Sequence, residues 1–241
     1  MVRNFPNPLY SPKFGLIFVI LQQLTVSEFV RKIFFNEIAL FFMKQKAPEY
    51  KEAEQAIRLK LSKELPGDLS YHGLHHTEDV LNAALKIAKT EKVPSRDVKL
   101  LRLAILLHDS GFIYTYKGHE EMGCKIAREI LPAYHLPRHE IEVICGMIMA
   151  TKIPQTPDTI LERIICDADL DYLGRDDVFA IADTLFREIK LYINPISAEE
   201  WNNLQISFLE AHEYFTKFSK TKRSPAKLIY LNHLKANHIA V

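Results

Sequence analysis

From Glu49 onward, apolar residues recur at three- and four-residue spacing and nothing alternates with period two for long. That pattern predicts a succession of helices and an all-α fold, a compact multi-helix bundle with an additional C-terminal helical segment. A helix through Ala53, Ile57 and Leu61 is stopped by Pro66-Gly67, and the next runs from about Thr77 through Val80, Ala84, Ile87 and Ala88. Ser95 is placed to cap a helix carrying Val98, Leu101, Leu103, Ala104, Leu106 and Leu107. Its apolar character nearly all round predicts a helix buried at the domain centre. It ends at Ser110-Gly111, directly after His108-Asp109. Further helices are predicted over about 120–131, 138–150, 159–170 and 178–192, separated by proline, glycine or asparagine breaks. Ser197 with Glu200 makes a capping box that opens a helix towards Phe218, and Ser224-Pro225 opens the last one.

The N-terminal stretch has a different texture. Phe14 to Leu21 and Ile33 to Met43 are apolar runs, each shorter than a bilayer span, and Gln22, Gln23, Glu28, Arg31 and Lys32 lie between them. Residues 1–46 therefore read as an amphipathic extension or as a start-site artefact with translation beginning at Met43. Membrane contact through 14–43 is disfavoured but stays open, and no secretory cleavage site is evident. Residues 47–195 are expected to form the functional helical domain, with 196–241 packed on it. A chain of 241 residues with 48% apolar composition suits one such domain.

The 31 basic and 30 acidic residues leave a formal charge of +1, and no basic stripe interleaves with aromatics, so a nucleic-acid partner is not expected. The three cysteines are odd in number and widely spaced, which argues against a disulfide framework and fits a reducing cytoplasm.

Three polar islands interrupt the apolar helices: Tyr71-His72-Gly73-Leu74-His75-His76, then His108-Asp109-Ser110-Gly111, then Cys166-Asp167-Ala168-Asp169. Burying a His-Asp pair at the end of a helix as apolar as Leu100 to Leu107 costs several kcal/mol unless the charges are paired or hold a metal. Imidazole and carboxylate donors together suit manganese, iron, cobalt, nickel or zinc, with magnesium less natural.

The three islands together resemble the HD superfamily of metal-dependent phosphohydrolases, whose signature is a histidine, a later His-Asp pair and a distant aspartate. The resemblance covers roughly Ser70 to Arg175. It implies His76, His108, Asp109 and Asp169 as metal ligands, with Asp109 also catalytic through the water that the metal activates. Asp167 is the rival for the last position. Two residues apart on a helix, the two aspartates point about 200° from one another, so one alone should face the metal.

The Tyr71-His72 to His76 spacing is also distantly similar to cyclic-nucleotide phosphodiesterases, which implies His72 as the acid that protonates the leaving oxygen. His75, His119 and Lys152 are candidate substrate-binding residues, with Lys117 a further possibility for holding phosphate. Met147 to Lys152 offers no histidine for a second site, so one metal is expected rather than two. The resemblance thus implies a phosphomonoesterase or phosphodiesterase acting on a nucleotide or small phosphorylated metabolite. The alternatives are a non-catalytic nucleotide-sensing module and, behind it, a di-iron oxygenase on the same scaffold. The aromatic group Trp201, Phe208, Tyr214, Phe215 and Phe218 is expected to be core, or else a pocket wall.

Overall fold

The computed structural model describes residues 46–238, which contain ten α-helices and three one-turn 3-10 segments and no strand. The all-α architecture expected from the periodicity is present. The helices are α1 (Tyr50–Glu64), α2 (Leu74–Thr90), α3 (Ser95–His108), α4 (His119–Ile130), α5 (Arg138–Ala150), α6 (Ile160–Asp169), α7 (Val178–Tyr192), α8 (Ala198–Ala211), α9 (Lys217–Lys222) and α10 (Ser224–His238). The 3-10 segments are Ser110–Ile113, Leu131–Tyr134 and Asp171–Gly174. The described residues from Pro48 onward fold as one unit.

The helix with apolar residues on every side is the axis of the structure. Leu101, Leu103, Ala104, Ile105, Leu106 and Leu107 of α3 are all buried, and α1, α2, α4, α5 and α6 pack around it. A second apolar cluster joins Leu170, Leu173, Val178, Leu209, Tyr230 and Leu231, drawn from the Asp171–Gly174 segment and from α7, α8 and α10. Tyr71 belongs to this second cluster, so the segment before α2 lies where the two cores meet.

Helix ends depart from the sequence reading in three places. α2 begins at Leu74 rather than Thr77, with extended Gly73 as its N-cap, which puts His76 in the first helical turn. Pro94 rather than Ser95 occupies the N-cap of α3. The helix opened by the Ser197/Glu200 box stops at Ala211 instead of running on to Phe218. Competing hydrogen bonds explain the stop: the Phe215 and Thr216 N–H groups both donate to Asp167, at 2.8 Å each, and so are unavailable to a helix. Thr216 then caps α9, accepting from the Ser219 N–H. Lys227 donates to the Leu209 carbonyl at 3.0 Å and to that of His212, serving the open end of α8.

One glycine is required by close approach. A side-chain carbon on Gly111 would lie 2.0 Å from the His119 carbonyl oxygen, so its absence lets the Ser110–Ile113 segment cross the start of α4. No helix among the described residues is long and apolar enough to cross a membrane, and the apolar runs within 14–43 lie outside those residues.

His212 is buried against Phe208 and Tyr214. Burial first, and the Lys227 ammonium second, push its pKa down to about 4 from an ordinary 6.5. Because the unfolded ring takes up a proton more readily, this group's contribution is complete above pH 6.5 and is lost as pH falls towards 4. Urea unfolding of His212→Asn against wild type between pH 7 and 4 should show a difference that changes by up to about 3 kcal/mol, with the wild type losing more stability on acidification. Parallel curves would show that His212 does not titrate in this way.

Candidate metal centre

Three helix ends converge on one point. His76 stands in the first turn of α2, His108 and Asp109 close α3, and Asp169 is the last residue of α6. The C-terminal ends of α3 and α6 carry the negative pole of their helix dipoles, a setting that favours a cation. Asp169 Oδ1 lies 3.0 Å from His76 Nε2 and 3.5 Å from His108 Nε2. Asp109 Oδ2 lies 3.1 Å from His108 Nε2 and 3.5 Å from His76 Nε2. Donor atoms of His76, His108 and Asp169 all fall within 4.8 Å of one another, the spacing of ligands around one ion.

The chemistry of these atoms decides what fits. His108 Nδ1 donates to the Ile105 carbonyl at 2.7 Å, which leaves Nε2 as the nitrogen facing the carboxylates. Buried His108 Nε2 and Asp109 Oδ2 have no hydrogen-bond partner, although they are neighbours. An unpartnered imidazole nitrogen facing an unpartnered carboxylate oxygen at the end of a buried helix calls for positive charge between them, a proton or a cation. The titration directions say the same. Burial is the largest influence on His108 and opposes its charge, yet the Asp109 and Asp169 carboxylates outweigh it and hold its pKa well above the ordinary value. Burial likewise raises the Asp109 and Asp169 carboxyls, and the neighbouring imidazoles overcome it and hold both well below the usual range. A divalent cation fits this donor set of two imidazole nitrogens and two carboxylates.

Asp167 takes no part. It is fully buried and binds the Phe215 and Thr216 N–H groups and the Thr216 hydroxyl, the last at 2.6 Å. His119 stands on the far side of Asp109, with Nε2 3.7 Å from Asp109 Oδ1 and Nδ1 donating to the Tyr116 carbonyl. His72 stacks on Phe112 at 4.3 Å, and Phe112 also stacks with His119 at 4.1 Å. The structure does not bring His75, Lys117 or Lys152 into the centre. His75 is exposed, its ring lying close against Gly73; Lys117 is exposed; Lys152 is exposed and paired with Glu121. Thr151, its neighbour, reaches the cavity.

Glu188 on α7 escaped the sequence reading. It is fully buried and accepts from the Tyr71 N–H at 2.7 Å, the His72 N–H at 3.0 Å, the Tyr116 hydroxyl at 3.1 Å and the His72 Nδ1. Burial pushes its carboxyl up, and His72 with the two backbone donors outweighs that and holds the pKa below the ordinary value. The signal was present: Glu188 continues the Ile181, Leu185 stripe at four- and three-residue spacing, a charged residue on an apolar face.

The centre opens into a cavity of about 320 Å³ whose polar end carries His72, Asp109, His119, Glu120 and Asp169. The site is a His-Asp pair at the buried end of the central helix of a helical bundle. Residues 73–171 match the family model of the HD domain. The crystal structure of a predicted HD superfamily hydrolase from an uncultured Thermotogales bacterium is similar, with 21% identity and a TM-score of 0.53, over 82% of this chain and 95% of that one. The crystal structure of a Lactobacillus plantarum protein is similar over 79% of this chain and 98% of the other, with 18% identity and a TM-score of 0.58. At these identities the likeness is one of fold. Comparison with curated proteins gives no match.

Alanine at Asp109 or Asp169 should lower affinity for manganese or zinc at least about 100-fold, read by equilibrium dialysis, because each removes an anionic donor. Asp167→Ala should leave that affinity near wild type and cost roughly 3 kcal/mol in unfolding, because it strands two buried N–H groups. Loss of metal in Asp167→Ala, with Asp169→Ala unaffected, would reverse the assignment of the two aspartates.

Proposed function

We propose that this protein is a metal-dependent phosphohydrolase that cleaves the phosphate ester of a small metabolite. The observation that carries the reading is the unpartnered pair His108 Nε2 and Asp109 Oδ2, meeting at 3.1 Å beside His76 and Asp169 at the closed end of a ligand-sized cavity. His76, His108, Asp109 and Asp169 would hold the cation, with manganese, iron, cobalt, nickel or zinc suited to the mixed nitrogen and oxygen donors. Bound there, a divalent ion supplies a Lewis acid for a phosphoryl oxygen and lowers the pKa of water.

The protein's own groups do the rest. In the overall reaction a water oxygen forms a bond to phosphorus, the bond from phosphorus to the ester oxygen breaks, and the alcohol leaves with a proton. His72 delivers that proton. With its Nδ1 engaged by Glu188, the other ring nitrogen, Nε2, is the one that serves the leaving oxygen, and stacking on Phe112 holds the ring plane. Glu188 is a positioning residue, fixed in turn by two backbone N–H groups and Tyr116. His119, on the outer oxygen of Asp109, binds a phosphoryl oxygen that does not react. The buried free thiols of Cys124, Cys145 and Cys166 fit work in a reducing cytoplasm.

Phosphate release from alkyl phosphates, nucleoside monophosphates and 4-nitrophenyl phosphate, measured with each of the five metals, tests the reading. Turnover that depends on metal and disappears in Asp109→Ala supports it; a folded, metal-loaded protein inert on the whole panel would overturn it. The role of His72 has its own signature. His72→Gln should lower kcat on alkyl esters about 10²- to 10⁴-fold, and far less on 4-nitrophenyl phosphate, whose leaving group needs no proton. Equal losses on both would remove His72 as the acid while leaving the metal reading intact.

A further inference from the structure

The cavity is polar at one end alone. Beyond Asp109 and Asp169 it runs between α7, α8 and α10, walled by Leu173, Leu185, Ile189, Trp201, Phe208 and Leu209. Its charged lining residues, Asp109, Glu120 and Asp169, are all acidic and lie at the metal end, and no lysine or arginine appears among the described residues that line it. At the far end the Tyr230 hydroxyl donates to Gln205 Oε1. Three of the chain's exposed large apolar residues, Ile153, Ile193 and Leu204, also line this cavity, at 54%, 55% and 51% exposure. They come from three different stretches of chain, after α5, after α7 and within α8. An apolar mouth therefore leads past apolar walls to a centre that accepts one anionic group.

A nucleotide fits this space poorly. Its sugar and base would lose hydration without gaining partners, and additional phosphates would meet carboxylates with no basic side chain beside them. A hydrocarbon tail gains about 0.8 kcal/mol for each methylene removed from water, close to fourfold in affinity.

Resting on the hydrolase reading above, we propose that the substrate is the phosphate monoester of an apolar alcohol. Its alkyl, prenyl or aromatic tail lies between α7, α8 and α10, and its phosphate at the His76, His108, Asp109 and Asp169 end. Hydrolysis gives the free alcohol and inorganic phosphate, the water supplying the hydroxyl on phosphorus and the proton on the alcohol.

The experiment is a homologous series on the full-length, metal-loaded protein: ethyl, butyl, hexyl, octyl and dodecyl phosphate, with adenosine monophosphate as the polar comparison. Affinities of the matching alkylphosphonates, which cannot be hydrolysed, are measured in parallel by calorimetry. The expected result is a rise in kcat/KM of up to about fourfold per methylene, levelling once the tail fills the chamber, with matching gains in phosphonate affinity. Leu204→Glu, at a half-exposed position where folding should survive, is expected to cut the octyl-to-ethyl ratio about tenfold. Ala182→Phe, which narrows the wall on α7, should move the plateau to shorter chains.

Hydrolysis with no dependence on tail length, or with adenosine monophosphate preferred over octyl phosphate, overturns the tail assignment and leaves the phosphohydrolase standing. If no ester is hydrolysed, the phosphohydrolase reading fails and the phosphonates decide the chamber. Affinity rising with chain length keeps it as an apolar binding site, and flat affinity removes it.

Discussion

Two carboxylates and two imidazoles are brought together at the ends of buried helices, and the cost of that arrangement governs much of what surrounds it. Asp109 and Asp169, set against His76 and His108, cannot remain charged in an apolar core without positive charge to compensate them. A cation removes the conflict, since neutral imidazoles and ionised carboxylates are then all satisfied at once. The helix that delivers His108 is buried without a break from Leu103 to its end, so the centre inherits the rigidity of the main core. That rigidity is what a site needs when its donors must meet within a few tenths of an ångström.

The C-terminal helices are fastened to this centre by other buried acids. Along Asp167-Ala168-Asp169-Leu170-Asp171, successive acidic side chains serve three ends. Asp167 holds the backbone of Phe215 and Thr216, Asp169 faces the histidines, and Asp171 takes Arg223 in a two-bond pair at 2.7 and 3.0 Å. From α7, Glu188 reaches back to the backbone of Tyr71 and His72. The layer that shapes the apolar chamber is thus tied to residues adjoining the metal donors. Changes in the outer helices therefore reach the chemistry through named hydrogen bonds.

Much of this was legible in the sequence because charge in an apolar helix is conspicuous. The end of α3 announced His108 and Asp109, and the periodicity announced the helices, including the buried character of α3. The choice between Asp167 and Asp169 was posed by helical geometry, but the partners of Asp167 lie 48 and 49 residues away, which no local pattern reveals. The end of α8 at Ala211 was hidden for the same reason, since the groups that stop the helix are bound by that distant carboxylate. Glu188 was readable in principle from its place on the Ile181, Leu185 stripe, though not its partners, 116 and 117 residues earlier. The aromatic group of the C-terminal region divides: Trp201 and Phe208 line the chamber, while Phe215 and Phe218 pack on the main core. Helical periodicity identifies apolar faces without saying whether a core or a cavity meets them.

The central claim is that one divalent cation belongs among these four side chains. A crystal of the protein soaked in manganese, with data collected to give an anomalous difference map, tests it directly. The account predicts a single strong peak bonded to Nε2 of His76 and His108, at about 2.0–2.3 Å, and to carboxylate oxygens of Asp109 and Asp169. A map with no peak there at saturating manganese, or with the ion held instead by His119 and Glu120, would contradict it.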